Sequence, residues 1–512
     1  MDLSDLKRLG HRSGTGGWGL GGLHETGLEE VRPVGVGGPW AASGTRASDA
    51  GEPGNSTAIA ALIRDALSAD QVVVREVSAL TGGAIHAHHA IDLRAEGGTV
   101  PGDSAWVIRF PADPSFRIGH PPDVEAAVMR RAARVGVPVP EVLKTGQARA
   151  PGSVAMDRPY LIMRRVVGRA VASELVGLGT ADGVRVGRRA GEVLGRLHGI
   201  APDAGVVDGL IPPPEDPAGA RLANLSRALD ATGAVEPGLE WVLAWLTRNR
   251  PAPVPPRLVH GDFRSGNLMI DGGSGKARLV AVLDWEFARW SDPHEDLGWL
   301  SAPCWRYGRR DRPVGGFADW ASFEAGYRAA GGVAIEPARL RFWQVLALLN
   351  WAIIALGQAG RFRRDRPETL DLGLTGWRLP ELLFEMLRAT APEARAEGAD
   401  APPPASDAVV LPAPVPGVED LLHAVRRALS NGLPAGPEEM GLLINAIGIA
   451  ERATAAGGMA RAGADWGDRA RSIRRDGIPA GRSAAHHGRL LAETRARLTL
   501  ANPRYLIALG LD

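Results

Sequence analysis

The chain is 512 residues long and has a single cysteine, Cys304, so no intrachain disulfide can form and a reducing compartment suits it. Lysine is almost as scarce. Lys7, Lys144 and Lys276 are the only three, and the other 56 basic residues are arginine, a bias that with abundant Gly, Ala and Pro looks like a high-GC genome. Net charge is also nearly absent, at +1, which leaves no electrostatic case for nucleic acid or a membrane surface as the main partner. The N-terminus lacks the compact apolar segment of a secretory signal, so a cytoplasmic location is expected. The longest apolar run, 342–357, contains Gln344 and Asn350 and lies between Arg341 and Arg361. A membrane span needs about 20 apolar residues, so this run predicts a buried helix instead.

What is present is concentrated between Leu258 and Leu300. The apolar residues Leu258 and Val259 lead into His260-Gly261-Asp262-Phe263-Arg264-Ser265-Gly266-Asn267. A β-type run follows, Val280-Ala281-Val282-Leu283, and it ends in Asp284-Trp285-Glu286. This order suits phosphoryl transfer. Asp262 can accept a proton from an attacking hydroxyl, and Asn267 and Asp284 offer the oxygen ligands that Mg²⁺ prefers. An Asp-x4-Asn loop followed by an acidic strand end is also the order of the protein-kinase catalytic loop and its metal-binding Asp.

These residues resemble the aminoglycoside phosphotransferase family of small-molecule kinases. His260-Gly261-Asp262-x4-Asn267 matches its catalytic loop, and Leu283-Asp284-Trp285-Glu286, with Asp284 17 positions after Asn267, matches its second acidic motif. The resemblance implies an α+β, two-lobed protein-kinase-like fold with a small β-rich N-lobe and a large helical C-lobe. It also implies ATP or GTP as donor, Mg²⁺ as cofactor, and a small-molecule hydroxyl as acceptor. Ser291-Asp292-Pro293-His294-Glu295-Asp296-Leu297 resembles a further family segment. Asp296 would orient the catalytic loop, with His260 and Glu286 supporting it, while Asp292 reads as structural.

Along the chain, residues 1–55 are Gly-, Ser- and Pro-rich and read as disordered or as an extension before the true start. The N-lobe is expected over 56–167. Ile59, Leu62, Ile63, Ala66 and Leu67 predict a short amphipathic helix, and Val72–Leu80, Ala87–Leu93, Ala105–Phe110 and Tyr160–Val167 predict strands. Gly82 and Gly83 read equally as a plain hairpin turn or as the phosphate-covering loop. Arg109 stands where kinases place a phosphate-binding lysine. By resemblance it would pair with Glu125, in the first turn of a helix over Asp123–Val135; a Glu favoured there by the helix dipole is the competing reading. Adenine would meet the backbone near Arg164 and Val166. The C-lobe is expected over 168–390, an Ala/Pro-rich linker over 391–416, and a small all-α domain over 417–512, which is the candidate surface for a protein partner.

His198 reads as a packing or capping residue. His86, His88 and His89 read as a polar strand edge, and His486-His487 as a polar surface pair, because no cysteine partners stand at zinc spacing. A pocket for a polycationic aminoglycoside should collect carboxylates. The segment after the metal motif instead carries Trp299, Trp305, Arg306, Tyr307, Arg309 and Arg310, which suits an apolar or anionic acceptor. Trp305, Arg306 and Tyr307 are the expected acceptor contacts, while Trp343 and Trp351 are expected in the core. The resemblance extends to the kinase domain fused to some acyl-CoA dehydrogenases, which points to a hydroxyacyl-CoA or similar metabolite. Antibiotic inactivation is the alternative. A nucleotide-binding pseudokinase or scaffold acting through the tail is a third reading.

Overall fold

The structure is a computed structural model. It describes residues 56–80, 86–111, 119–146, 159–202, 207, 209–365, 370–390, 409–430, 432, 436–461, 464–477 and 483–511, all within one compact unit. Gly82 and Gly83 lie outside the described residues, as does the whole of 1–55.

The small lobe begins with helix α1 (Ser56–Leu67), which buries Ile59, Leu62, Ile63 and Leu67 at three- and four-residue spacing. Strands β1 (Gln71–Leu80), β2 (His86–Glu96), β3 (Gly102–Pro111), β4 (Val142–Gly146) and β5 (Tyr160–Arg164) form one antiparallel sheet in the order β1-β2-β3-β5-β4. Along β3, Trp106, Ile108 and Phe110 alternate toward α1 and share its core with Ile91, Leu93 and Ile162. The sequence reading missed β4, whose five residues include Lys144 and Thr145 and are too few to show alternation. It also ran β5 three residues too far: the strand stops at Arg164. Helix α2 (Pro122–Arg134) lies between β3 and β4 in the chain, with Pro122 at its first turn and Glu125 on its buried face.

The large lobe is mostly helical. Helix α3 (Thr180–Leu197) leads to α4 (Pro217–Thr232), which is capped by the Asp216 carboxylate and closed by Gly233 in the left-handed region. Helix α5 (Pro237–Arg248) precedes four short strands: β6 (Arg257–Val259), β7 (Leu268–Asp271), β8 (Arg278–Val282) and β9 (Arg289–Ser291). They pair as β6-β9 and β7-β8, so the loop between β6 and β7 and the loop between β8 and β9 are held side by side. Helices α6 (His294–Ser301), α7 (Trp320–Ala329), α8 (Pro337–Asp365), α9 (Leu370–Gly376) and α10 (Leu379–Thr390) complete the lobe.

Helix α8 is long and apolar enough to cross a membrane by length and composition, yet 67% of its most apolar window is buried inside the protein. Trp343 and Trp351 are in the core, as expected. Gly298 of α6 is required at the α6–α8 crossing, because a Cβ there would lie 2.6 Å from the backbone of Trp343.

The C-terminal helices are α11 (Val418–Ser430), α12 (Pro437–Ala455), α13 (Ala464–Asp476), α14 (Ser483–Ala501) and α15 (Pro503–Ala508). Their apolar faces join the same hydrophobic cluster as α8 and α10. Buried Arg497 pairs with buried Glu236 at 2.6 Å, and Arg474 pairs with Glu240 and with Asp230. Two expectations need correction here. The end of the supposed linker forms a strand, Val409–Leu411, paired in parallel with Met459–Arg461. His487 is not on the surface: it is 1% exposed, bonds to the Leu387 carbonyl at 2.8 Å and packs on Trp241, so desolvation is compensated by a backbone partner.

Candidate active site

Strand β6 is fully buried at Leu258 and Val259, and the loop that leaves it turns at Gly261, with φ of +81°. A Cβ at that position would lie 2.3 Å from the Phe287 carbonyl, so only glycine lets the two loops approach. Asp296, from the first turn of α6, accepts the backbone N–H groups of His260 at 2.7 Å and Gly261 at 2.9 Å. His198 contacts the same carboxylate at 3.1 Å and Tyr327 Oη at 2.8 Å. The turn is therefore held by a buried chain from Tyr327 through His198 to Asp296. The loop-orienting role expected of Asp296 has this geometry. His198, read as packing or capping, is the residue that fixes it.

His260 binds the two loops together. Its Nδ1 accepts from the Asp262 backbone N–H at 3.2 Å, and its Nε2 donates to the Leu283 carbonyl at 3.0 Å, which defines a neutral imidazole. Burial lowers its pKa, in agreement with that state.

The Asp262 carboxylate is held from three sides. Asn267 Nδ2 donates to Oδ2 at 2.8 Å and to the Asp262 carbonyl at 2.9 Å. Arg264 Nε donates at 3.1 Å, and Trp299 Nε1 donates to Oδ1 at 2.7 Å. With Nδ2 so engaged, the Asn267 amide oxygen is the atom left for a cation. Asp284 sits at the β8 end with φ of +69°, a strained conformation for a non-glycine residue and one that recurs at functional sites. Its carboxylate lies 3.4 Å from Arg109.

Arg109 reaches across from β3 and forms a buried ion pair with Glu125, whose other oxygen accepts the Trp285 backbone N–H at 3.3 Å. The ion-pair reading of Glu125 therefore prevails over the helix-dipole reading. His88 is the cross-strand neighbour of Arg109, and His89 stacks on Phe110.

Burial first, and then Asp284, pushes Glu286 up to about 8. Asp284 and Glu286 thus lie together at this end of the cleft, with Arg109 as their nearby positive charge. Among the described residues no group of three or more His, Cys, Asp or Glu is placed for a metal. A cation here would rest on Asn267, Asp284 and nucleotide phosphates, as Mg²⁺ commonly does.

The remaining expected residues fall around this centre. Arg164 is half-buried, bonded to Glu141 at 2.7 Å and lying over Trp106; Val166 is half-buried just past β5. Trp305 is buried against Trp299 and Trp351, beneath the Arg264 guanidinium. Tyr307 is buried beside it. Arg306 turns away and donates twice to the Ser301 carbonyl, so it is a loop anchor and the structure does not bring it to Asp262.

Sequence reasoning gave Arg264 no role and counted Trp299 only within the aromatic, arginine-rich segment, not as a partner of Asp262. Trp299 carried a usable signal: it lies three residues after Asp296, on the same helical face.

A two-loop centre of this kind beneath a small antiparallel sheet defines a kinase-like phosphotransferase fold. Residues 100–343 match the family described as Phosphotransferase enzyme family (APH). The chain is 28% identical over 182 residues to acyl-CoA dehydrogenase family member 10 of Mus musculus, covering 35% of this chain and 16% of that protein. It is 28% identical over 206 residues to family member 11 of Gallus gallus, covering 39% and 25%. The match thus spans a quarter or less of those relatives' length. A solved structure provisionally assigned as an aminoglycoside phosphotransferase of Ralstonia eutropha JMP134 superposes with a TM-score of 0.52 at 18% identity, covering 66% of this chain and 98% of that one. At that identity the likeness speaks to the fold.

Proposed function

We infer that the domain transfers the γ-phosphoryl group of ATP or GTP to a hydroxyl of a small molecule. The observation that carries this is the Asp262 carboxylate, held by Asn267, Arg264 and Trp299 beside Asp284. A fixed carboxylate can orient the acceptor hydroxyl and take its proton as the oxygen attacks phosphorus. Asn267 and Asp284 would hold Mg²⁺, which when bound supplies charge neutralisation at the phosphates. Arg109, kept in place by Glu125, would carry charge to the phosphate oxygens with its planar fork in the lysine's stead. Asp296, His198 and His260 keep the loop in register.

The acyl-CoA dehydrogenase family names of two matched relatives support a hydroxyacyl-CoA or similar metabolite as acceptor, and an antibiotic is the alternative reading.

The test is Asp262→Asn. The variant should bind nucleotide and melt as the parent does, and lose more than about a hundredfold in transfer, as expected when a group acting only in the transition state is removed. A product gaining one phosphate is read by mass spectrometry after incubating a small-molecule extract with ATP and Mg²⁺. Full turnover by Asp262→Asn sinks the mechanism.

A further inference from the structure

The two carboxylate oxygens of Asp262 offer about four directions in which a donor can approach. Trp299 Nε1 takes one on Oδ1 at 2.7 Å, and Asn267 Nδ2 takes one on Oδ2 at 2.8 Å. Arg264 Nε takes the other two, reaching Oδ1 at 3.1 Å and Oδ2 at 3.2 Å. Every direction is therefore filled from within the chain. A base that is to receive the proton of an acceptor hydroxyl needs one of them open.

Of the three donors, Arg264 is the one placed to yield. The Trp299 indole is fixed by its packing on Trp305, and the Asn267 amide by its second bond, to the Asp262 carbonyl at 2.9 Å. Both residues are buried, whereas Arg264 is half-buried. Arg264 also makes the longest contacts, one N–H shared between two oxygens, and a divided bond is weaker than a direct one. Its guanidinium lies 5.1 Å from the centre of the Trp305 ring. An aromatic face holds a cation within about 6 Å of its centre, so Arg264 can shift by a fraction of an ångström and keep that support. Asp284 attracts it as well as Asp262, so its charge stays compensated.

We propose that Arg264 stands in the place of the acceptor hydroxyl: its Nε caps Asp262 until an acceptor displaces it, and so keeps water from being used as the acceptor. This rests on the phosphotransfer reading above and adds to it how the base is guarded. Once Nε has left, the hydroxyl oxygen bonds to the γ-phosphorus as the bond to the β,γ-bridging oxygen breaks, and that electron pair stays on the nucleoside diphosphate. The hydroxyl proton passes to the Asp262 oxygen that Nε vacated, and from there to solvent.

Water is also the probe, because it makes the test independent of the acceptor's identity. The full chain is incubated with Mg²⁺ and ATP or GTP, and released inorganic phosphate is measured. Arg264→Met puts a methyl group where Nε stands, and phosphate release should rise about tenfold or more, the scale of one bond to a charged group. Arg264→Gln puts an amide N–H there instead and should give less than about a third of that rise. Adding Asp262→Asn to Arg264→Met should abolish the gain, which ties it to the uncapped carboxylate. If Arg264→Met does not fold, Arg264→Lys, which keeps the charge and places a methylene where Nε stands, takes its place with the same expected rise. An equal rise in Arg264→Gln, a gain that survives Asp262→Asn, or release by the folded Met or Lys variant that is unchanged or lower overturns the cap; phosphotransfer then still stands if the parent phosphorylates compounds of a small-molecule extract. No phosphate release by any variant and no transfer by the parent overturns the phosphotransfer reading and this one with it.

Discussion

The indole N–H of Trp299 donates to Oδ1 of Asp262 at 2.7 Å, from a position 37 residues further along the chain. A tryptophan donor is fixed in direction by a ring that packs on Trp305 and lines the cleft beside Gly261. It therefore sets which way the carboxylate faces, leaving Asn267 and Arg264 to fill the other lone pairs.

Trp299→Phe keeps most of the ring volume and removes the donor. A hydrogen bond to a charged group is worth about 1.5–3 kcal/mol, so kcat should fall roughly ten- to a hundredfold if that bond is what aligns Asp262. Nucleotide KM should stay put, because the indole does not reach Arg109 or Asp284. Steady-state kinetics decide it: an unchanged kcat means the bond does not position the base.

Arg109 and Glu125 are both almost fully enclosed, and Asp284 is the second carboxylate on the arginine. Removing one member of such a pair strands the other charge, at a cost of about 3–5 kcal/mol. Arg109→Met alone should thus lower the melting temperature sharply. Adding Glu125→Leu should restore part of it, since both ends of the ion pair are then gone, while Asp284 still lacks its arginine and the Trp285 N–H its acceptor. The double variant should still fail to bind nucleotide, which separates the arginine's phosphate role from its structural one. Thermal melts with and without ATP and Mg²⁺ read both effects, and a double variant that binds nucleotide normally would refute the phosphate role.

The C-terminal helices bury their apolar faces in the same cluster as α8 and α10, and Arg497 meets Glu236 where both are almost completely excluded from water. Cutting the chain after residue 416 removes the part of that cluster supplied by residues such as Leu421, Ile449, Leu490 and Leu498 and leaves Glu236 and Glu240 without their arginines. The truncated chain should aggregate or melt well below the full chain. Arg497→Met, by the same argument as above, should cost about 3–5 kcal/mol in denaturant titrations. Equal melting of full and truncated chains would show that the tail contributes nothing to the lobe.

Much of the placement of the two loops and of the Arg109–Glu125 pair was legible because these residues are close in sequence or fixed by strand order. Asp262, Asn267 and Asp284 sit on two adjacent loops. Arg109 and Glu125 fall on a strand and a helix whose patterns are strong. The contacts made around the catalytic loop by residues distant in sequence were less legible for a physical reason. Glu295 meets Arg221 across 74 positions, Trp299 meets Asp262 across 37, and no periodicity encodes such meetings. Arg306 and Arg264 look alike in the sequence, but one binds the Ser301 carbonyl and the other binds Asp262. The packing of the C-terminal helices on the large lobe was not legible, because an apolar helix face reads the same whether it packs on its own domain or on a neighbour. His487 misled because a polar side chain can be buried once a backbone carbonyl receives it.

Asp371 of α9 provides a pH dependence whose sign can be worked out. It is 5% exposed, and its buried Oδ1 has no hydrogen-bond partner among the described residues. Desolvation raises it from the ordinary 3.8 to about 7. The folded protein therefore holds this proton more tightly than the unfolded chain. Below pH 3.8 the carboxyl is protonated in both states, and its contribution to stability is complete. Between pH 3.8 and about 7 the unfolded chain ionises while the folded one resists, so stability falls as pH rises, by up to about 4 kcal/mol in all. Above that window the loss is complete and the slope from this group vanishes. Asp371→Asn removes the ionisation and nearly keeps the shape. Relative to the parent, it should be equal or slightly weaker at pH 4, where an amide N–H in place of the protonated oxygen is itself poorly partnered, and clearly more stable at pH 8. Urea titrations of both proteins at the two pH values measure the difference, in which all other titrating groups cancel. A parent and variant that lose stability in parallel across this range would place the Asp371 carboxyl in contact with water or a counter-charge.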